Sequence, residues 1–193
     1  MSGGDSVETE VKVKCDDLDA LRSAHPDLGW EVAVPRHFED NFVFDRVEGA
    51  LKHRGSLLRL RIVDGKGTLT YKGLLPESAA SAMKVREELE TGVEHPEVLA
   101  AILERLGYRR AFRYQKYRTI YRLRAPEGEA LAMRDETPFG GFLEIEGDEA
   151  PVSALASALG FAPSQFIRDS YIGIQAALCA ARGVPLADLV FEE

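Results

Sequence analysis

Charged side chains occupy every second position along several stretches of this chain. In the first stretch, valines share one parity while Glu8, Glu10 and Lys12 share the other, which is the two-residue period of a β-strand. The solvent face of an ordinary half-exposed sheet mixes Thr, Ser, Gln and Lys with isolated acids, so a face this ionic is unusual. The stretches with polar side chains at this spacing are Glu8, Glu10 and Lys12; Arg59 and Arg61; Thr68, Thr70 and Lys72; Arg86, Glu88 and Glu90; Lys116 and Arg118; and Glu144 and Glu146.

Two interpretations of this ionic face are open. In the first, it is a solvated outer surface whose opposite charges pair across strands for about 0.2–1 kcal/mol each. In the second, the sheet curls into a barrel and the charges lie inside. The signs are segregated by strand, with acid pairs near both ends of the chain and base pairs between them. Like charges at this spacing repel each other unless an opposite charge covers them, which favours a barrel that holds a polyanion beside a cation.

The wider pattern predicts an α+β fold with a mostly antiparallel sheet. Asp64-Gly65 is typical of a tight hairpin turn, and residues 74–82, rich in Ser and Ala, are expected to form a mobile loop. The predicted helices are 18–24, 95–106, 152–159 and 171–181. The predicted strands are 6–14, 30–38, 41–44, 56–63, 68–73, 83–90, 111–123, 130–137 and 142–147. No linker divides the chain, which predicts one domain over 1–193 with a core at about 6–181.

Charge and cysteine content exclude several classes of protein. The 32 acidic and 24 basic residues leave a net charge of -8, which argues against a nucleic-acid coat or a protein that binds anionic membranes. Cys15 and Cys179 lie far apart, so a disulfide framework and a cysteine zinc site are not expected. The chain lacks a stretch of about 20 apolar residues that could span a membrane. These features predict a cytoplasmic protein.

The ionic stretches also suggest their ligands. The pairs Glu8/Glu10 and Glu144/Glu146 offer the hard oxygen atoms that Mg²⁺ or Mn²⁺ prefers. The bases Arg59, Arg61, Lys72, Lys116 and Arg118 would hold phosphate oxygens and match a triphosphate in charge. The four histidines, at 25, 37, 53 and 95, lack paired spacing and are interpreted as surface or packing residues. Trp30 and Tyr171 are interpreted as core residues, with stacking on an organic group as the alternative.

The sequence resembles the CYTH superfamily, also called triphosphate tunnel metalloenzymes. Val7-Glu8-Thr9-Glu10-Val11-Lys12 matches the family's E-x-E-x-K signature, and later segments follow in the family's order over nearly the whole chain. These later segments are Asn41-Phe42-Val43-Phe44-Asp45, Leu58-Arg59-Leu60-Arg61, Thr70-Tyr71-Lys72, Arg86-Glu87-Glu88-Leu89-Glu90, Lys116-Tyr117-Arg118, Asp135, Gly141-Phe142-Leu143-Glu144-Ile145-Glu146 and Ser170-Tyr171.

This resemblance implies a closed eight-stranded antiparallel β-barrel with helices packed outside and a polar tunnel for a triphosphate. It also implies roles for individual residues, with Lys12, Glu8 and Glu10 central to catalysis. By position, Glu8, Glu10, Asp135, Glu144 and Glu146 resemble the family's metal ligands. Lys12, Arg59, Arg61, Lys72, Arg86, Lys116 and Arg118 resemble its phosphate-binding residues, with Glu88 and Glu90 as further lumen residues.

The position of Asp135 departs from this pattern in its periodicity. It shares its parity with Leu131 and Met133, so it is expected to face the lumen only where the strand bulges or ends. Arg134 is the competing lumen residue.

The resemblance implies an enzyme, and the leading expectation is a Mg²⁺- or Mn²⁺-dependent triphosphatase acting on inorganic triphosphate or a small organic triphosphate. The alternatives are a class IV adenylyl cyclase, which forms cyclic AMP and pyrophosphate from ATP, and a non-catalytic polyphosphate-binding module. A small-molecule triphosphate is the expected partner, without nucleic acid or membrane. The sequence leaves the oligomeric state open.

Overall fold

Eight strands close into an antiparallel barrel in the computed structural model, which describes residues 6–75 and 83–192. Around the ring the order is β1-β5-β4-β3-β2-β6-β7-β8, and β8 pairs back onto β1. The predicted barrel is thereby confirmed. The strands are β1 (Ser6–Lys14), β2 (Glu31–Arg46), β3 (Leu57–Val63), β4 (Lys66–Leu74), β5 (Lys84–Val93), β6 (Tyr108–Ala125), β7 (Gly128–Thr137) and β8 (Gly140–Gly147).

Helices join the strands and pack on the outer wall. Four of them agree with the predicted helices to within a few residues, and a fifth, of a single turn, was not predicted. In the described part of the chain no helix has the length and apolar character needed to cross a membrane. The helices are α1 (Leu18–Ala24), α2 (Ala50–His53), α3 (Pro96–Arg105), α4 (Glu149–Ala158) and α5 (Tyr171–Ala181).

The hydrophobic core lies between the barrel's outer wall and the helices. Val152 and Leu155 of α4 pack against the outward side chains of β1 and β8, including Val11 and Leu143. A second cluster places α3 over β2 and β3. Burying each Val or Leu side chain contributes about 1.5–3 kcal/mol. On these strands the apolar parity therefore faces outward to the helices, which leaves the ionic parity for the interior.

The β3–β4 hairpin sets the register of the basic strand. Asp64 and Gly65 both have positive φ, 47° and 78°, as expected for a two-residue hairpin turn. Val63 pairs with Lys66 across this turn, and the register carries Arg59 opposite Thr70. The Asp-Gly prediction is confirmed.

Strand β2 is longer than the sequence indicates. Two strands are predicted, at 30–38 and 41–44, because Glu39-Asp40 looks like a polar interruption. This division is wrong, since Asp40 pairs with Ile62 in the sheet and its carboxylate binds Arg113 outside the barrel, at 2.7 Å. Glu39 is buried on the lumen side of the strand. A polar residue can continue a strand when its side chain faces a polar interior.

The C-terminal segment protects an edge of β6. The Gln115 amide donates to the Leu189 carbonyl at 2.8 Å, and the Leu189 amide donates to the Arg113 carbonyl at 2.9 Å. Strand β7 pairs with β6 only from Tyr117 onward, so Leu189 satisfies backbone groups that β7 does not reach. Most of the predicted loop 74–82 lies outside the described residues.

Candidate active site in the barrel lumen

The barrel encloses a cavity of about 220 Å³ whose walls carry charge from both ends of the sequence. The ionic parity faces this cavity, so the solvated-surface interpretation is wrong for these strands. Glu8 lies on β1, with its backbone paired to Arg86, but its side chain is outside what the structure describes. The charged residues that line the cavity are Glu10, Lys12, Arg59, Arg61, Lys72, Arg86, Glu88, Glu90, Lys116, Arg118, Glu144 and Glu146.

One wall of the lumen is rich in carboxylates, because β1 and β8 are neighbours in the closed ring. Glu10 pairs directly with Glu146, and Lys12 pairs with Glu144. The Lys12 ammonium lies 3.1 Å from Glu144 and 3.7 Å from Glu10, and it donates to the Asp169 carbonyl at 3.1 Å. Burial lowers the pKa of Lys12, but the attraction of Glu144 and Glu10 outweighs it and raises that pKa above its usual value. Lys12 is therefore a cation at neutral pH.

The opposite wall is basic. Its bases lie on β3 and β6, the two neighbours of β2, which is four strands from β1 in either direction around the ring. Arg59 of β3 donates to Thr70 Oγ1 at 3.1 Å and to the Tyr114 hydroxyl at 3.4 Å. Between these walls, on β4 and β5, Lys72 lies 2.6 Å from Glu88. A linear anion in the lumen would therefore meet bases on one side and carboxylates on the other.

Asp135 is fully buried behind the cavity and accepts hydrogen bonds from three residues. Its oxygens accept from Lys116 Nζ at 2.8 Å, from Arg118 Nε and Nη2 at 2.6 Å each, and from the Tyr171 hydroxyl at 2.7 Å. Arg118 also donates to Glu144. Burial and the negative charges of Asp135 and Glu144 raise the pKa of Tyr171 well above its usual value, so its hydroxyl keeps its proton.

The expectation that Asp135 needs a bulge is wrong. Strand β7 keeps an unbroken register with both neighbours, and Leu131 and Met133 line the same cavity as the charged residues. Arg134 points outward and lies 3.2 Å from Asp19. Apolar side chains line the lumen along part of β7. Sharing a parity with Leu131 and Met133 therefore did not prevent Asp135 from lying on the lumen side of the strand.

Strand β2 supplies lumen residues that the sequence pattern did not indicate. Glu39 is 1% exposed, and its carboxylate lies 3.4 Å from His37, 3.4 Å from Arg61 and 3.5 Å from Lys116. Burial raises the pKa of Glu39, but Lys116 and Arg118 outweigh it and hold that pKa well below its usual range. The alternation of His37, Glu39 and Asn41 was the available signal, obscured by the equally polar Asp40 between them.

The carboxylates fit a hard divalent cation only in part. Among the described residues, no three His, Cys, Asp or Glu side chains form a metal-binding group. Mg²⁺ is, however, often held by one or two carboxylates together with water and substrate phosphates. The facing pair Glu10 and Glu146 suits this mode. Asp135 would have to leave Lys116, Arg118 and Tyr171 before it could bind a metal, so its predicted metal role stays a prediction.

Comparison with known proteins identifies relatives for almost the whole chain. The model of the CYTH domain family matches residues 6–159. A Methanocaldococcus jannaschii protein named "putative adenylate cyclase" is 26% identical over 179 residues, which cover 88% of this chain and 98% of that protein. These matches agree with the resemblance carried by the sequence motifs.

Solved structures share the fold. A Vibrio parahaemolyticus protein described as a "putative adenylate cyclase" superposes with a TM-score of 0.69 at 22% identity, covering 87% of this chain and 97% of that one. A Hippeastrum protein, described as a "putative adenylyl cyclase" with a dominant triphosphatase activity, superposes with a TM-score of 0.58 at 20% identity, covering 93% and 97%. At these identities the likeness establishes a common fold.

Proposed function

The chain belongs to the CYTH domain family, and from this premise we propose that it is a divalent-metal-dependent triphosphatase acting on inorganic triphosphate or a small organic triphosphate. One observation carries the proposal: a basic wall and a carboxylate wall face each other across a single cavity. A module that only binds polyanions would gain nothing from the carboxylates, because they repel the ligand. The pairing of both signs supports an enzyme that binds a phosphate chain together with a cation.

The size of the cavity supports hydrolysis over cyclisation. Pockets for drug-sized ligands measure about 300–1,000 Å³, whereas this cavity measures about 220 Å³. It therefore suits the phosphate chain and leaves a nucleoside outside. Cyclisation is the second candidate, since two of the similar proteins carry a cyclase name. It requires the ribose hydroxyl to reach the α-phosphate, and this demands room close to the reacting phosphate.

The bases and the carboxylates of the lumen have different roles in this proposal. Arg59, Arg61 and Lys116 hold phosphate oxygens, and Lys12 contributes a fixed positive charge at the attacked or leaving phosphate rather than acting as a base. Glu10 and Glu146, with Glu8 beside them on β1, would hold Mg²⁺ or Mn²⁺. When bound, such an ion supplies charge neutralisation at the phosphate oxygens and activation of the nucleophile.

Product identification tests the reaction. The protein is incubated with tripolyphosphate, thiamine triphosphate or ATP, each with Mg²⁺ or Mn²⁺. Release of orthophosphate is expected. Formation of cyclic AMP and pyrophosphate from ATP would assign the cyclase reaction instead. Tight binding of tripolyphosphate without turnover of any of these substrates would show that the protein is a binding module without catalytic activity.

Replacement of Arg59 by Ala is expected to weaken substrate binding. A hydrogen bond to a charged group contributes about 1.5–3 kcal/mol, so KM for the triphosphate should rise about tenfold or more, with a smaller change in kcat. Steady-state kinetics measures both. Arg134→Ala, which removes an arginine from the outer face, is the matched control and should leave KM unchanged. A normal KM in a folded Arg59→Ala protein would contradict the phosphate-binding role.

A further inference from the structure

Asn41 is a buried amide without a hydrogen-bond partner. It is the one asparagine in the sequence, it is 0% exposed, and neither Nδ2 nor Oδ1 has a partner among the described residues. Most buried polar groups in native proteins are satisfied, and leaving one without a partner destabilises the fold. The stability of the fold therefore does not explain why an amide occupies this position.

The position of Asn41 is at the middle of the basic wall. Its register partners are Arg61 on β3 and Tyr114 on β6, and both line the cavity. It shares the parity of Glu39, whose carboxylate contacts bases of the lumen. The barrel order puts β2 directly across from the carboxylates of β1. Asn41 itself is fully buried and does not line the cavity, so a phosphate chain between the two walls would have to reach its amide between Arg61 and Tyr114.

Other donors beside Asn41 also lack hydrogen bonds. The Nε atoms of Arg59 and Arg61 are buried and make no hydrogen bond among the described residues, although Arg61 Nε lies 3.4 Å from a carboxylate oxygen of Glu39. With Asn41 Nδ2 they form a group of three donors on two adjacent strands. A phosphate chain offers several strong acceptor oxygens and matches such a group.

A neutral donor suits this place better than another base. Burial and the neighbouring positive charges of Arg59 and Arg118 lower the pKa of Arg61, which shows that cations are already crowded there. An amide binds a phosphate oxygen without adding to that repulsion.

We propose that Asn41 is a substrate-binding residue whose Nδ2 donates a hydrogen bond to an oxygen of the bound phosphate chain, beside Arg59 and Arg61. The inference rests on the proposed function, because it takes a polyphosphate as the ligand of the lumen. It adds a contact on β2, a strand on which the sequence pattern assigned no substrate-binding residue.

The proposal predicts opposite effects of one substitution on stability and on binding. Leucine has nearly the shape of asparagine and carries no polar atoms. Asn41→Leu therefore removes the unsatisfied amide and should stabilise the ligand-free protein, raising Tm by about 2–4 °C. The same change removes the phosphate contact and should weaken binding about tenfold.

Calorimetric titration with imidotriphosphate, a non-hydrolysable analogue of tripolyphosphate, in the presence of Mg²⁺ measures the affinity, and thermal unfolding measures Tm. Thr119→Val is the matched control, because it removes a buried hydroxyl from the strand neighbouring β2 at a position of outward parity. This control should bind the analogue as the wild type does.

Asn41→Asp provides a second test if the leucine variant does not fold. The added carboxylate lies beside Arg61, so the fold is retained, while its negative charge should weaken analogue binding by tenfold or more. Wild-type affinity in a folded variant would overturn the inference and leave only a buried water at Asn41. Failure of the wild-type protein to bind the analogue would overturn the proposed function and the inference with it.

Discussion

Replacement of Glu146 by Gln is expected to abolish turnover while leaving the barrel folded. Glu146 lines the lumen opposite Glu10, and the two carboxylates are the pair best placed to hold a divalent ion. Gln keeps the shape of the side chain but removes the negative charge. Loss of one electrostatic contact of this kind typically lowers kcat by about 10²–10³, and loss of the metal would lower it further.

Steady-state hydrolysis of tripolyphosphate at saturating Mg²⁺ measures this effect, and thermal unfolding checks the fold. Tm should change by less than about 2 °C, because removing one of two facing carboxylates also removes their repulsion. Glu136→Gln is the matched control, since Glu136 pairs with Arg36 on the outer face of β7. Unchanged kcat in Glu146→Gln would remove this residue from the catalytic site.

Replacement of Asp135 by Asn is expected to cause the largest loss of stability among the lumen residues. Asp135 is fully buried and neutralises Lys116 and Arg118 while it accepts from Tyr171. Breaking a buried ion pair by removing one partner costs about 3–5 kcal/mol, because the other charges stay buried. For a chain of this size that corresponds to a fall in Tm of about 6–20 °C.

Thermal unfolding with and without tripolyphosphate tests the prediction. The anion should raise Tm more in Asp135→Asn than in the wild type, because it supplies negative charge that the lumen has lost. Tyr171→Phe is the control, since it removes one hydrogen bond to Asp135 but no charge, and should cost only about 1 kcal/mol. A Tm for Asp135→Asn within 2 °C of the wild type would show that Lys116 and Arg118 do not depend on this carboxylate.

Some structural elements followed directly from local sequence. The Asp64-Gly65 turn, helix α1 and helix α5 agree with their predictions because each depends on neighbouring residues: a pair of positive φ values, a cap at Asp17 and a cap at Ser170. The prediction for strand β2 was wrong because this strand depends on residues that are distant in the sequence. Whether Glu39 ends a strand or faces a polar interior depends on what lies across the barrel, and local sequence does not contain that information.

The candidate site divides in the same way. Periodicity placed Glu10, Lys12, Glu144 and Glu146 on the charged faces of their strands, and the segregation of charge together with the family resemblance favoured a common interior. Periodicity did not reveal that Asp135 would bind Lys116, Arg118 and Tyr171, because these donors come from two segments, β6 and α5, that meet β7 only in the folded chain. Asn41 alternates with His37 and Glu39 and lies in a segment that matches the family, but nothing in that pattern assigned it a contact with substrate.

The amino-acid order alone settled which side chains share a face, because a strand alternates its side chains by geometry and needs no partner to do so. Folding settled which charges meet. Glu10 and Glu146 lie near opposite ends of the chain and become neighbours only when β8 closes against β1, and β2 comes to face them only because four strands separate it from β1 in both directions. Charge interactions act through space over a few ångströms, so the pairing that makes this lumen a candidate active site exists only once the barrel is closed.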